Sequence, residues 1–183
     1  KIFMKEKSKI YKRLAYLGGK KLINKKFLNY NSIGKEELKA VSEVVKSGNL
    51  SSFLGTYSRE FNGGKKVREF ETKWSKLFKV KYSISVNSWT SGLIACIGSL
   101  DINPGDEIIV SPWTMCATAT CILHWNAIPV FADINLDDFC LDPKSVEKNI
   151  TNKTKAILTT DIAGHPSRYK ELKYLAKKYN LKL

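Results

Sequence analysis

The sequence predicts an α/β protein built on a mainly parallel sheet, and three observations predict it. From about residue 82 onward, short apolar runs of strand length alternate with amphipathic runs of helix length. The breaks between them are marked by turn residues such as "NPGDE" (103–107) and by Asp142-Pro143. No internal repeat or low-complexity tract interrupts the order. Strand, helix and strand in regular succession require right-handed crossovers, and these bury a parallel sheet between helices.

The elements follow in chain order. "GKEELKAVSEVVKSG" (34–48) carries Leu38, Val41, Val44 and Val45 at helical spacing and stops on Gly48, so it reads as a helix. "NLSSFLGTYSREFNGGKKV" (49–67) is rich in Ser and Gly and reads as a long loop of the kind that carries function. A second helix is expected from Val67 to Phe78, with Phe70, Trp74, Leu77 and Phe78 on one face. Then come strand 82–86, helix 90–100, strand 108–110, helix 115–125, strand 128–133, a short helix after Pro143, strand 155–161 and helix 169–179. The chain starts at Lys1, and "NLKL" (180–183) reads as the beginning of another strand, so both ends are read as cut.

Composition bounds the function. A chain of 183 residues with 43% hydrophobic content can bury one core, and no run approaches the ~20 apolar residues of a membrane span. Net charge is +14, of which residues 1–27 contribute +9. The excess is an N-terminal arm without a recognised nucleic-acid motif, so a solvated extension is expected and no nucleic-acid partner. A basic nucleic-acid-binding domain is the alternative from another class, with a steep salt dependence as its signature. Cys96, Cys116, Cys121 and Cys140 form no C-x-x-C pair, and His124 and His165 have no ligand-like spacing. They read as structural residues of a reducing compartment, the cytoplasm, and no metal site is expected.

In parallel α/β sheets ligands bind at the carboxyl ends of the strands. Four strand tips therefore define the candidate site: "NSWTS" (87–91), "SPWTM" (111–115), "DINLDD" (133–138) and "DIAGHP" (161–166). The first is a hydroxyl-rich helix N-terminus, which offers free N–H groups, a favourable dipole and side-chain donors to a phosphate. The glycine patterns of dinucleotide and triphosphate sites and the G-x-S-x-G nucleophile elbow are all missing. A phosphorylated cofactor held by hydroxyls and backbone remains open. Trp89, in the middle of that turn, has two placements open to it: apolar packing beneath the turn, or the mouth of the site.

Taken together, "VNSWTSGL" (86–93), "INPGDEIIVSPWTMCATATCIL" (102–123), "AIPVFADINLDDFCLDP" (127–143), "NKTKAIL" (152–158) and "AGHP" (163–166) resemble the DegT/DnrJ/EryC1/StrS family of pyridoxal-phosphate-dependent nucleotide-sugar aminotransferases, in the same order and spacing. The resemblance covers roughly residues 30–183. It implies a three-layer α/β/α fold, the first half of the large domain of a fold type I transferase, behind a basic arm of residues 1–30. It implies a homodimer that moves an amino group from glutamate to a nucleotide-linked keto-sugar, in making amino sugars for cell-surface polysaccharide or related glycans, with pyridoxal 5′-phosphate as cofactor. Ser88, Trp89, Thr90 and Ser91 would hold the cofactor phosphate, through the Thr90 hydroxyl and the N–H groups of Trp89 and Ser91. Met115 stands where the family has an aromatic residue against the cofactor ring, and a thioether packs on ring faces. The family's Schiff-base lysine and its acidic partner of the pyridine nitrogen would lie beyond Leu183, so no catalytic residue is nominated and the chain alone is expected to be inactive. A dehydratase of the same fold, with histidine for the lysine, is the alternative within the family.

Overall fold

The computed structural model describes residues 14–50, 52–53, 55–58 and 60–183. The first thirteen residues of the basic arm expected at 1–30 lie outside the described residues. Two compact units are present, Lys1–Arg68 and Glu69–Leu183.

In the first unit, helix α1 (Lys35–Ser47) forms where the apolar spacing places it. The Glu37 carboxylate accepts from the Gly34 N–H at 2.7 Å, which satisfies one orphan donor of the first turn and holds that carboxyl below its ordinary range. Gly48 ends the helix at φ 70°, a left-handed conformation that glycine takes without a Cβ penalty. Helix α2 (Lys65–Phe78) starts two residues earlier than its pattern indicates and contains the boundary between the units.

In the second unit, the Trp74 ring of α2 lies between Phe70 and Phe78, with centroids at 5.7 and 4.6 Å. These are helical neighbours at i and i+4. The next segment corrects the sequence reading. Residues 82–86 form no strand. Strand geometry needs a neighbouring backbone, and the segment has no ladder partner among the described residues. Side chains of α2 take its polar groups instead: Ser85 donates from N and Oγ to Glu71 Oε1 at 2.7 and 2.9 Å, and Ser75 Oγ donates to Ser83 Oγ at 2.9 Å. Tyr82 and Ile84 are left exposed.

Helix α3 (Trp89–Gly98), strand β1 (Glu107–Val110), helix α4 (Ala117–Leu123), strand β2 (Ile128–Phe131), helix α5 (Pro143–Lys148), strand β3 (Thr154–Leu158) and helix α6 (Tyr169–Lys178) complete the chain. Asp142 caps α5 by accepting from the Lys144 N–H at 3.2 Å, with Pro143 in the first turn, where its missing N–H costs nothing. The strands form one parallel sheet in the order β2-β1-β3. Lys182 adds a parallel bridge to Ala156, with the Ile157 N–H donating to its carbonyl at 2.8 Å. The strand expected to begin at "NLKL" thus starts beside β3.

Both sheet faces are covered. Successive strand residues point to opposite sides, so Ile108, Val110 and Ala156 pack under α3 and α4 with Leu93, Ile97, Cys121 and Ile122. Ile109 and Ile157 pack on the other face with Val146 of α5 and Leu172, Leu175 and Ala176 of α6. The central strand is buried on both faces, which is why "IIV" (108–110) reads as a continuous apolar run. Each fully buried Ile there contributes about 1.5–3 kcal/mol. This is the expected three-layer α/β/α arrangement, and it sets the carboxyl ends of β1, β2 and β3 side by side.

Candidate functional site

Ser88 is extended (φ −156°, ψ 158°) and caps α3, its Oγ accepting from the Ser91 N–H at 3.2 Å. The two hydroxyls also meet at 3.1 Å. This alters one sequence expectation: the Ser91 N–H is engaged by the cap and is not a free phosphate donor. The free backbone donors of the turn are the N–H groups of Trp89 and Thr90, which have no acceptor among the described residues. The Thr90 hydroxyl has none either. Three unpaired donors and two paired hydroxyls at the positive end of a ten-residue helix suit a phosphate group.

Trp89 is 70% exposed, so the indole is not packed beneath the turn. Its six-membered ring leans on Gly92, where a Cβ would come within 2.9 Å of the Trp89 Cε3 atom. Glycine three residues on is what lets the ring lie along the first helical turn.

The second tip is pinned at several points. Ser111 is buried and accepts from the Trp113 N–H at 3.0 Å. Thr114 Oγ1 meets Thr118 Oγ1 at 3.0 Å and Thr160 Oγ1 at 3.2 Å. Met115 lies outside α4, which begins two residues later than expected, and its carbonyl accepts from the Thr118 N–H at 3.0 Å. Its side chain is 77% exposed.

The third and fourth tips are tied into the same assembly. The rings of Trp113 and Phe139 lie 6.4 Å apart, tilted at 38°. Arg168 Nε donates to Asp138 Oδ2 at 2.9 Å, and that guanidinium holds the Asp138 carboxyl below its ordinary range. At the fourth tip Asp161 Oδ1 accepts from the Ser167 N–H and Ser167 Oγ, both at 2.9 Å, and from the Tyr169 hydroxyl at 3.1 Å. The Ser167 N–H is the main reason the Asp161 carboxyl titrates low, with burial opposing it. Burial is the main reason the Tyr169 phenol titrates high. A carboxylate so well supplied with donors is a weak base, and its part is to shape the turn at Ala163 and Gly164, both in positive-φ conformations.

Ser88, Trp89, Thr90 and Ser91 therefore share one turn, and Met115 sits on a separate, pinned tip. No hydrogen bond among the described residues joins the first tip to the others. The side-chain ties of Thr114, Asp138, Thr160, Asp161, Ser167 and Arg168 escape sequence reading. Asp and Thr in polar tips look alike whether they face a ligand or each other, and only the crossovers decide which meet.

Comparisons with known proteins point to one family. The model of the DegT/DnrJ/EryC1/StrS aminotransferase family matches residues 31–183. The spore coat polysaccharide biosynthesis protein SpsC of Bacillus subtilis is 38% identical over 140 residues, 75% of this chain and 33% of that protein. The crystal structure of an aminotransferase from Psychrobacter cryohalolentis superposes with a TM-score of 0.75 at 31% identity, over 85% of this chain and 37% of that one. NtdA from Bacillus subtilis, solved with its cofactor pyridoxamine phosphate bound, superposes with a TM-score of 0.73 at 27% identity, over 87% of this chain and 36% of that one. The chain thus spans about a third of the length of these proteins. The family's cofactor is pyridoxal 5′-phosphate, whose phosphate the donor set of the first tip fits. With the motifs in register, both sheet faces covered and a phosphate-ready turn opening α3, the chain belongs to the DegT/DnrJ/EryC1/StrS aminotransferase family.

Proposed function

We propose that this chain is the N-terminal part of the cofactor-binding domain, behind an arm of residues 1–30, of an enzyme that transfers an amino group from glutamate to a nucleotide-linked keto-sugar. The observation that carries the reading is the opening of α3, where the Thr90 hydroxyl and the N–H groups of Trp89 and Thr90 stand unpaired at a helix N-terminus. That donor set holds an anion without a charged side chain. The dipole contributes ~0.3–1 kcal/mol at an exposed helix end such as this one, and each hydrogen bond to a charged oxygen about 1.5–3 kcal/mol. When bound, pyridoxal 5′-phosphate supplies the electron sink of the reaction. The residues of this chain grip its phosphate at the first tip, present Met115 toward its ring at the second, and hold the fourth tip in shape through Asp161. The role proposed is in making amino sugars for polysaccharide, and the similarity to SpsC, a spore coat polysaccharide biosynthesis protein, supports its polysaccharide part. The same reading makes the enzyme a cytoplasmic homodimer.

The test is turnover by the full-length enzyme loaded with cofactor, given glutamate and a panel of keto-sugar nucleotides. Release of 2-oxoglutarate in step with an amino-sugar product is the expected result. A deoxygenated sugar product without amination would replace transfer with dehydration. No change in any keto-sugar would refute the substrate class.

A further inference from the structure

The loop from Ser111 to Met115 combines a held backbone with open apolar side chains. Its backbone is fixed at both ends: the buried Ser111 accepts from the Trp113 N–H at 3.0 Å, and the Met115 carbonyl accepts from the Thr118 N–H at 3.0 Å. Yet its apolar side chains stand in the open, Trp113 at 56% and Met115 at 77% exposure. A loop whose backbone is already held needs no further backbone ordering when a ligand covers it, so the cost of binding is confined to the side-chain rotamers. The hydroxyl that completes the fixing comes from the segment that follows β3. Thr160, just beyond the end of β3, meets Thr114 Oγ1 at 3.2 Å, and Thr114 Oγ1 meets Thr118 Oγ1 at 3.0 Å at the start of α4. Thr114 is thus the junction of three elements, and Met115 is its chain neighbour.

We propose that Thr160 is a positioning residue for the cofactor ring: through Thr114 it sets the loop that presents the Met115 thioether, without touching the cofactor. The inference rests on the cofactor reading above and deepens it. It separates two halves of recognition, because the phosphate turn at 88–91 shares no hydrogen bond with the Thr114 junction among the described residues. A lesion at Thr160 loosens the grip on the ring and spares the grip on the phosphate.

The experiment compares full-length wild type with Thr160→Val, which keeps the shape and removes the hydroxyl, and Thr160→Ser, which restores the hydroxyl. The readouts are the dissociation constants of pyridoxal 5′-phosphate and of inorganic phosphate, and the visible circular dichroism of the bound cofactor. Loss of one neutral hydroxyl bond predicts a roughly three- to tenfold weaker cofactor constant for Thr160→Val, with reduced dichroism and an unchanged constant for inorganic phosphate. Thr160→Ser returns all three to wild-type values, and Thr114→Val, which cuts the junction from the other side, reproduces the Thr160→Val pattern. An unchanged cofactor constant and dichroism in Thr160→Val overturn the proposal. Equal weakening of both ligands without rescue by serine overturns it too, since that is general loosening of the domain. Wild type that binds inorganic phosphate and ignores pyridoxal 5′-phosphate refutes the cofactor reading itself, an outcome distinct from a silent Thr160.

Discussion

The indole N–H of Trp125 donates to the carbonyl of Ile94 at 2.8 Å. This bond joins the end of the α4 segment to α3, the helix that opens on the phosphate turn. The same indole lies so close to Gly98 that a Cβ there would fall 2.1 Å from Trp125 Cζ2. Gly98→Ala is therefore expected to displace the indole and break the bond to Ile94, at a cost of about 1–3 kcal/mol. Urea unfolding of the variant against wild type measures it, and an unchanged midpoint would mean that the ring slides aside freely.

The phosphate turn is tested at its unpaired hydroxyl. Thr90→Val keeps the shape of the side chain and is expected to weaken cofactor binding by about 1.5–3 kcal/mol, the worth of a hydrogen bond to a charged oxygen. Titration of the full-length apoenzyme with pyridoxal 5′-phosphate reads it. Retained affinity would leave Thr90 as an ordinary first-turn residue.

Trp89 is 70% exposed and so contributes little to the fold. Trp89→Ala is expected to move the unfolding free energy by less than about 0.5 kcal/mol, as surface substitutions do, and to raise the Michaelis constant for the sugar substrate of the full-length enzyme. A large fall in melting temperature with an unchanged Michaelis constant would return the indole to a packing role.

The fourth tip has a pH signature. Asp161 is held below the ordinary carboxylate value of about 3.9 by the Ser167 N–H and its other donors. The folded value being the lower one, its stabilisation is complete above the unfolded value and is lost as pH falls through the folded value. Carboxyl-carbon NMR is expected to show Asp161 titrating below about 3.9, and Asp161→Asn to flatten the acid limb of the stability profile. Titration at or above the ordinary value would mean that the Ser167 bonds do not hold in solution.

None of the lysines lies at 87–91, 111–115, 133–138 or 161–166. The 183-residue chain by itself is therefore expected to release no 2-oxoglutarate from glutamate with pyridoxal 5′-phosphate and a keto-sugar nucleotide. Turnover would place a competent lysine elsewhere on the chain.

By itself, the sequence determined the order of the elements save the strand expected at 82–86, and it placed three of the four expected tips at strand ends, the turn at 88–91 opening α3 with no strand before it. Both are written in local chemistry. Apolar runs of strand length are punctuated by "NPGDE" and Asp142-Pro143, and the hydroxyls at 88–91 sit where a helix must begin. Helices α1 to α6 and strands β1 to β3 all form within a few residues of their patterns. Tertiary structure decided what depends on a distant partner. Residues 82–86 have strand propensity, but a ladder needs a neighbouring backbone, and Glu71 and Ser75 bind that segment instead. Whether the Ser91 N–H is free depends on the rotamer of Ser88, and whether Trp89 is covered depends on what packs over the turn. The Thr114–Thr160 junction spans two crossovers and leaves no trace in either local pattern. Short-range pattern fixes which residues reach the carboxyl edge of the sheet, and the crossovers alone decide which of them touch.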